Sequence, residues 1–179
     1  MYRDDFKKDT SFFVNTILLE LCSSSRMAEN SHYIQHGSTS ILEHCRRVAL
    51  ISLRFSRRLH LKVDERSLVR GALLHDYFLY DWHFPDVCPR WHGFVHPKIA
   101  LENARRDIPD LNKTEEDIIH RHMFPLTPCP PRTREGIIVS LADKVSGFFE
   151  TIKINEGRVF FIKLPEALVN AIVKNGALC

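Results

Sequence analysis

An apolar helical run that ends in the dipeptide His75-Asp76 limits what this chain can fold into more than any other feature. The run covers residues 68–74, and its side chains predict a helix buried in the core. An imidazole beside a carboxylate at the end of a buried helix costs free energy unless both groups are bound. A divalent metal ion is the simplest partner that satisfies both. We therefore expect a fold that brings further metal-binding side chains to the end of this helix.

The length and composition of the chain are typical of a single globular domain. It has 179 residues, of which 44 % are apolar and 26 % charged, and this length suffices for a hydrophobic core. The net charge of +3 is small, and acidic residues are spread among the basic ones. We therefore expect no nucleic-acid partner. A small anionic substrate is compatible with this charge.

The pattern of apolar residues and cysteines bears on location. No apolar run approaches the length of a membrane span, and the charged N-terminus lacks the apolar core of a signal peptide. The five cysteines include no CxxC pair, which disfavours a disulfide framework. We expect a cytoplasmic protein without a membrane partner. The ten histidines are the unusual feature, and most lie between His36 and His122, as a metal site would require.

The spacing of apolar residues predicts helices throughout and no strand of the alternating type, so the predicted fold class is all-α. Expected helix starts are Ser40, in a capping box with Glu43, then Asp64 and Thr114 as N-caps. Pro97 suits the first turn of a helix that begins near residue 98. The predicted helices cover about 10–21, 40–60, 64–75, 98–107, 115–122, 133–150 and a C-terminal stretch from Pro165, with an extended piece near 158–162. The phenylalanine pairs 12–13 and 148–149 are expected in the core.

Six titratable side chains lie at helix ends or on otherwise apolar faces, where burying a polar group is costly unless it has a binding partner. They are His44, His75, Asp76, His96, His122 and Asp143. Imidazoles and carboxylates suit Fe, Mn, Co, Ni or Zn, and the residue types do not choose among these metals. Ligands that are distant in sequence can converge in the core of a helical bundle.

The order of five short motifs resembles the HD-domain superfamily of metal-dependent phosphohydrolases. The motifs are ILEHCRRVA, GALLHDY, HGFVHPKIA, IIHRHMFPL and IVSLADKVSG. The resemblance implies one helical HD domain over residues 1–179, with its motif core at about 36–150. It implies that His44, His75, Asp76 and Asp143 are metal ligands, joined in a two-metal branch by His96 and His122. The branch that these strings resemble most cleaves diadenosine tetraphosphate symmetrically.

The resemblance also implies a chemistry. One or two divalent ions would lower the pKa of coordinated water, and Asp76 would suit a bridging catalytic ligand. Lys144 is the second candidate catalytic residue and, with Arg47 and Arg121, a candidate for binding phosphate. Many members carry Gly-Lys directly after the His-Asp pair, whereas this chain has Tyr77, which leaves the substrate open. A nucleotide or a related small phosphate compound is expected, and Trp82, Trp91 and Phe94 could stack on a base.

Several alternatives stay open at this point. His120 competes with His122, since residues two apart cannot share one helix face. Lys144 could reach solvent without any chemical role, and Arg47 could belong to a solvated helix face. The same ligand set serves a diiron HD-type oxygenase, and an inactive HD domain could bind a nucleotide as a sensor. A homodimer is a further open alternative.

Overall fold

Helices make up most of the chain in the computed structural model, which describes residues 2–36, 39–84 and 89–151. Within these ranges lie six α-helices, one 3₁₀ helix and one small antiparallel sheet, so the predicted all-α class is confirmed. The α-helices are α1 (Tyr2–Ser24), α2 (Ile41–Arg58), α3 (Glu65–Leu74), α4 (His92–Asp107), α5 (Lys113–Arg121) and α6 (Arg134–Thr151). The 3₁₀ helix is Met27–Ser31, and β1 (Ile34–His36) pairs with β2 (Thr39–Ser40). The predicted elements at 158–162 and after Pro165 lie outside the described residues.

The starts of α2 and α3 agree with the sequence prediction. The Ser40 hydroxyl accepts a hydrogen bond from the Glu43 backbone, and the Glu43 carboxylate accepts one from the Ser40 backbone. The Asp64 carboxylate accepts from the backbone N–H groups of Arg66 and Ser67. Each cap satisfies donors that a helix start leaves without a partner. The capping box places His44 on the first turn of α2, and α3 ends just before His75.

Two predicted helix starts were wrong. The N-cap of α5 is Asn112 instead of Thr114, because Asn112 forms a capping box with Glu115. Helix α4 begins at His92, well before the predicted residue 98, so Pro97 lies inside the helix. A proline removes one backbone hydrogen bond there without ending this helix.

Helix α3 lies at the centre of the bundle. It packs between α2 and α5 and also contacts α1 and α6. Leu68, Leu73 and Leu74 of this helix are fully buried. The glycine at position 71 lets α5 approach closely, because a Cβ there would overlap the Cδ1 of Ile118. The core of the molecule therefore surrounds the helix that leads into the His-Asp dipeptide.

The phenylalanine pairs do not both face the core as predicted. Phe12 is 74 % exposed and Phe148 is 61 % exposed, whereas Phe149 is buried and Phe13 packs partly against the core. Neighbouring residues on a helix point about 100° apart, so only one member of each pair can face inward. Within the described ranges, no helix combines the length and the apolar character that crossing a bilayer requires.

Candidate metal centre

The six predicted ligand residues come together in the bundle core, although they are spread over a hundred residues of sequence. One lies on each of α2, α4 and α6, two directly follow α3, and one directly follows α5: His44, His96, Asp143, His75, Asp76 and His122. The four imidazoles and Asp76 are buried, and the Asp143 side chain is 15 % exposed. Helix ends on several elements thus aim their polar side chains at one point.

The carboxylate of Asp76 lies between two pairs of histidines. Its Oδ2 is 3.4 Å from Nε2 of His75 and 3.9 Å from Nε2 of His44. Its Oδ1 is 3.2 Å from Nε2 of His96 and 3.5 Å from Nε2 of His122. On the His44 side, Asp143 Oδ1 adds a second carboxylate oxygen, 3.1 Å from His44 Nε2 and 3.6 Å from His75 Nε2. One oxygen of Asp76 therefore faces each histidine pair.

Three of the histidines are oriented by backbone carbonyls. Nδ1 of His75 donates to Ala72 O at 2.8 Å, Nδ1 of His96 to His92 O at 3.0 Å, and Nδ1 of His122 to Ile119 O at 2.8 Å. Each carbonyl lies one helical turn upstream of its histidine. These hydrogen bonds hold the proton on Nδ1, so Nε2 is left as the potential ligand atom.

The geometry of the donor atoms fits a metal ion. Among the described residues, neither His75 Nε2 nor Asp76 Oδ1 has a partner in hydrogen-bonding geometry, although both atoms are buried. His96 Nε2 and His122 Nε2 lie only 2.9 Å apart. Three overlapping sets of three side chains, all drawn from the six, keep their donor atoms within 4.8 Å of one another and could each hold an ion. Buried polar atoms without partners are costly, and divalent transition metals accept this imidazole and carboxylate set.

The electrostatics of the site favour ionised carboxylates. Burial alone would raise the pKa of Asp76, but the adjacent His75 and the close approach of His122 and His96 hold it well below its usual range. Burial acts in the same direction on Asp143, and His44 and His75 lower its pKa in turn. Both carboxylates are therefore charged at neutral pH and available to a cation.

Two further residues touch the site that the sequence did not single out. The side-chain amide of Gln35, on β1, donates to Asp76 Oδ2 at 2.8 Å. Both carboxylate oxygens of Glu150 lie 3.1 Å from Nδ1 of His44. Glu150 follows Asp143 by two helical turns, and this spacing was a usable signal that both share one face of α6. No comparable signal marks Gln35.

The predicted phosphate-binding residues are all engaged by the protein. The Lys144 ammonium donates to His122 O at 2.9 Å and to Ser140 O at 3.0 Å, and burial lowers its pKa. Arg47 Nη1 lies 2.9 Å from Glu150 Oε1, at the back of the His44 ring. Arg121 pairs with Asp117 at 2.9 Å and donates to the carbonyl of Pro130, so these contacts tie it to the loop before α6. Lys144 and Arg47 thus adjoin the centre, and Arg121 is not brought into it by these contacts.

An aromatic column extends outward from His96. The His92 ring stacks on His96 with centroids 4.7 Å apart, and Trp82 stacks on His92 at 5.4 Å and an angle of 9°. The hydroxyl of Tyr80 lies 2.9 Å from Nδ1 of His92. Trp91, which directly precedes His92 in sequence, is 70 % exposed and in ring contact with Phe94.

Of the two histidines that competed for one ligand position, the structure favours His122. His120 belongs to none of the three ligand sets, whereas His122 belongs to two.

A family model for the HD domain matches residues 41–147, which is more than half of the chain. The protein therefore belongs to the HD-domain family, as the order of its motifs indicated. HD domains characterise a superfamily of metal-dependent phosphohydrolases. All six converging side chains lie inside the matched range, whereas Gln35 and Glu150 lie outside it. No curated protein and no solved structure matches the chain.

Proposed function

We propose that this protein is a metal-dependent phosphohydrolase that cleaves a phosphate ester or anhydride of a nucleotide, with residues 1–179 forming one HD domain. The observation that carries the proposal is the position of Asp76, which turns one carboxylate oxygen toward each of two histidine pairs. A bridging carboxylate with imidazoles on both sides is the arrangement expected of a two-ion centre. The candidate ligands are the six converging residues, and the candidate ions are Fe, Mn, Co, Ni and Zn.

When bound, such ions would lower the pKa of water and withdraw charge from phosphate oxygens. The residues of the chain keep the ligand atoms in position for this. Nδ1 hydrogen bonds to backbone carbonyls fix three of the rings, and Gln35 holds Asp76 Oδ2 from the side. Lys144 anchors the carbonyl of His122 while placing a positive charge close to Asp143. We propose that this charge also favours an anionic substrate.

The nucleotide part of the proposal rests on exposed rings that lie close in sequence to His96, a candidate ligand. Trp91 directly precedes His92, whose ring stacks on His96, so an exposed indole lies within two helical turns of a candidate ligand. Phe94 is 46 % exposed and borders the same indole. Exposed aromatic rings near a phosphate-binding centre are suited to stacking on a nucleobase. A nucleoside phosphate would use both the aromatic rings and the phosphate-binding centre, whereas a simple alkyl phosphate would use only the centre.

The proposal is tested by metal analysis together with phosphate release. Purified protein is assayed against nucleoside mono-, di- and triphosphates, dinucleoside polyphosphates and p-nitrophenyl phosphate, with added Mn, Fe, Co, Ni or Zn. We expect bound metal and higher kcat/KM for nucleotides. Asp76→Asn should lose both metal and turnover, by about 1000-fold or more in kcat, because several kcal/mol of transition-state stabilisation depend on the ions. Asp9→Asn is the matched control, since the Asp9 side chain is 69 % exposed and pairs with Arg57.

Other results would contradict this function. Iron with oxygen consumption but no phosphate release would favour the diiron HD-type oxygenase, which uses the same ligand set. Nucleotide binding without turnover at any metal would favour an inactive sensor. Equal turnover of Asp76→Asn and Asp9→Asn would show that the centre takes no part in the reaction.

A further inference from the structure

Glu150 contacts His44, a candidate ligand of the centre, on the ring nitrogen Nδ1. It lies near the end of α6, its side chain is 0 % exposed, and both its oxygens are 3.1 Å from Nδ1 of His44. This contact spans 106 positions of sequence. Because Glu150 lies outside the matched residues 41–147, the HD-domain match does not account for it.

The partner of Nδ1 distinguishes His44 from the other candidate ligands. His75, His96 and His122 donate to neutral carbonyls. His44 instead faces the carboxylate of Glu150, whose pKa is lowered by its hydrogen bond with His44 despite burial. A hydrogen bond to a charged acceptor is about twice as strong as one between neutral groups. It also makes the opposite ring nitrogen a better electron donor to a metal. The carboxylate behind His44 therefore makes its Nε2 a stronger electron donor to an ion than a neutral carbonyl partner would.

Two neighbours fix the carboxylate of Glu150 itself. The Ser146 hydroxyl donates to Oε1 at 2.8 Å from one turn earlier on α6. Arg47 Nη1 lies 2.9 Å from the same oxygen and comes from the turn that follows His44 on α2. One oxygen of the carboxylate is thus contacted from both α6 and α2. These bonds make Glu150 a rigid support for the imidazole.

The two halves of the centre also differ in charge. The His44 half combines His44 and His75 with oxygens of both Asp76 and Asp143. The His96 half combines His96 and His122 with the other oxygen of Asp76. With the imidazoles neutral, as metal binding requires, the greater negative charge and the carboxylate behind His44 both favour a divalent cation on the His44 side.

We propose that Glu150 is a positioning residue that keeps His44 Nε2 directed at Asp143 and makes the His44 half the tighter of two metal positions. The proposal rests on the metal centre of the proposed function. It is tested by titrating the chelator-treated protein with Mn²⁺ and following the bound ion by calorimetry and electron paramagnetic resonance. The wild type should show two classes of binding with different affinities.

Glu150→Gln keeps the shape and a hydrogen-bond acceptor but removes the charge. It should weaken the tighter class by about 10–100-fold, as loss of such outer partners typically does, and leave the weaker class within about threefold. Ser140→Ala is the matched control, because the Ser140 hydroxyl supports the His122 carbonyl on the opposite half at 2.7 Å. It should leave the tighter class unchanged. Ser146→Ala removes only a support of Glu150 and should weaken the tighter class by a few-fold.

The outcomes separate this proposal from the proposed function. If the wild type does not bind Mn²⁺, the proposal of a metal centre is itself contradicted. If the wild type has two classes of Mn²⁺ binding and Glu150→Gln leaves both unchanged, or weakens both equally, Glu150 does not have the proposed role. The metal centre itself would stand in that case. If the wild type binds only one ion, the proposal of two metal positions with unequal affinities is overturned. If Glu150→Gln does not fold, as judged by circular dichroism, an unchanged tighter class in Ser146→Ala would overturn the proposal.

Discussion

Each of the four candidate histidine ligands ties one ring nitrogen to the protein and turns the other toward a carboxylate. In the metal-free protein, protons take the place of a cation at His44 and His75. Burial alone would lower the pKa of His44, but its hydrogen bonds with Asp143 and Glu150 raise it to about 10. Burial acts likewise on His75, and Asp76 with other neighbours raises its pKa well above the usual range. Both imidazoles are therefore protonated at neutral pH when no metal is present.

We predict that metal binding releases protons and that metal affinity rises with pH. An ion can use His44 or His75 only in the neutral form, so near pH 7 the protons on these rings must leave as the ion binds. The pH range over which affinity rises should extend upward toward about 10, the pKa of His44. The measurement is calorimetric titration in buffers that differ in ionisation enthalpy. His44→Asn should release fewer protons than the wild type, and identical heats in all buffers would contradict the prediction.

Among the elements, helix α3 matters most because it delivers His75 and Asp76 to the centre. The Asp64 cap sets where the helix starts. The glycine at position 71 sets how closely the helix packs against Ile118 of α5. A Cβ at position 71 would overlap Ile118 Cδ1 and lie 3.0 Å from Ile118 Cβ. The close approach of α3 and α5 thus determines how near His122 comes to Asp76.

We predict that Gly71→Ala lowers the free energy of unfolding by about 1–2 kcal/mol, although alanine is the better helix former by about 1 kcal/mol. The overlap with Ile118 should outweigh the gain in propensity. Ile118→Val removes the overlapping Cδ1 but keeps the Cβ, so Gly71→Ala should destabilise the protein less in that background. Urea unfolding of the two single variants and the double variant measures the coupling. Additive effects of the two substitutions would show that the overlap is not the cause.

At the scale of the whole molecule, the centre joins parts of the chain that are distant in sequence. The candidate ligands belong to α2, α4 and α6 and to the residues that directly follow α3 and α5. An ion held by them would connect five helices at one point. Anything that binds only the folded state stabilises it in proportion to the logarithm of its concentration over Kd.

We predict that a chelator lowers the Tm of the purified protein by about 5–10 °C, because a hundredfold excess of ligand over Kd contributes about 2.7 kcal/mol. Adding the metal back should restore the Tm. Thermal melts of the wild type and Asp76→Asn, each with and without chelator, test this. Asp76→Asn should not respond to either addition. A wild-type Tm that is insensitive to both would argue that no ion is held by the folded protein.

The sequence by itself determined the all-α class, the caps Ser40 and Asp64, and the six side chains that converge. Caps are local, since acceptor and donor are within three residues, and the family motifs carry their ligands as residue types in a recognisable order. The Asn112 cap is local as well, because it is a capping box with Glu115, and the prediction of Thr114 overlooked it. Tertiary structure decided the rest. It began α4 at His92 and left Phe12 at the surface. It also brought Gln35 to Asp76 and Glu150 to His44. These contacts depend on how helices pack, and residues far apart in sequence leave no local pattern that predicts which partners they will meet.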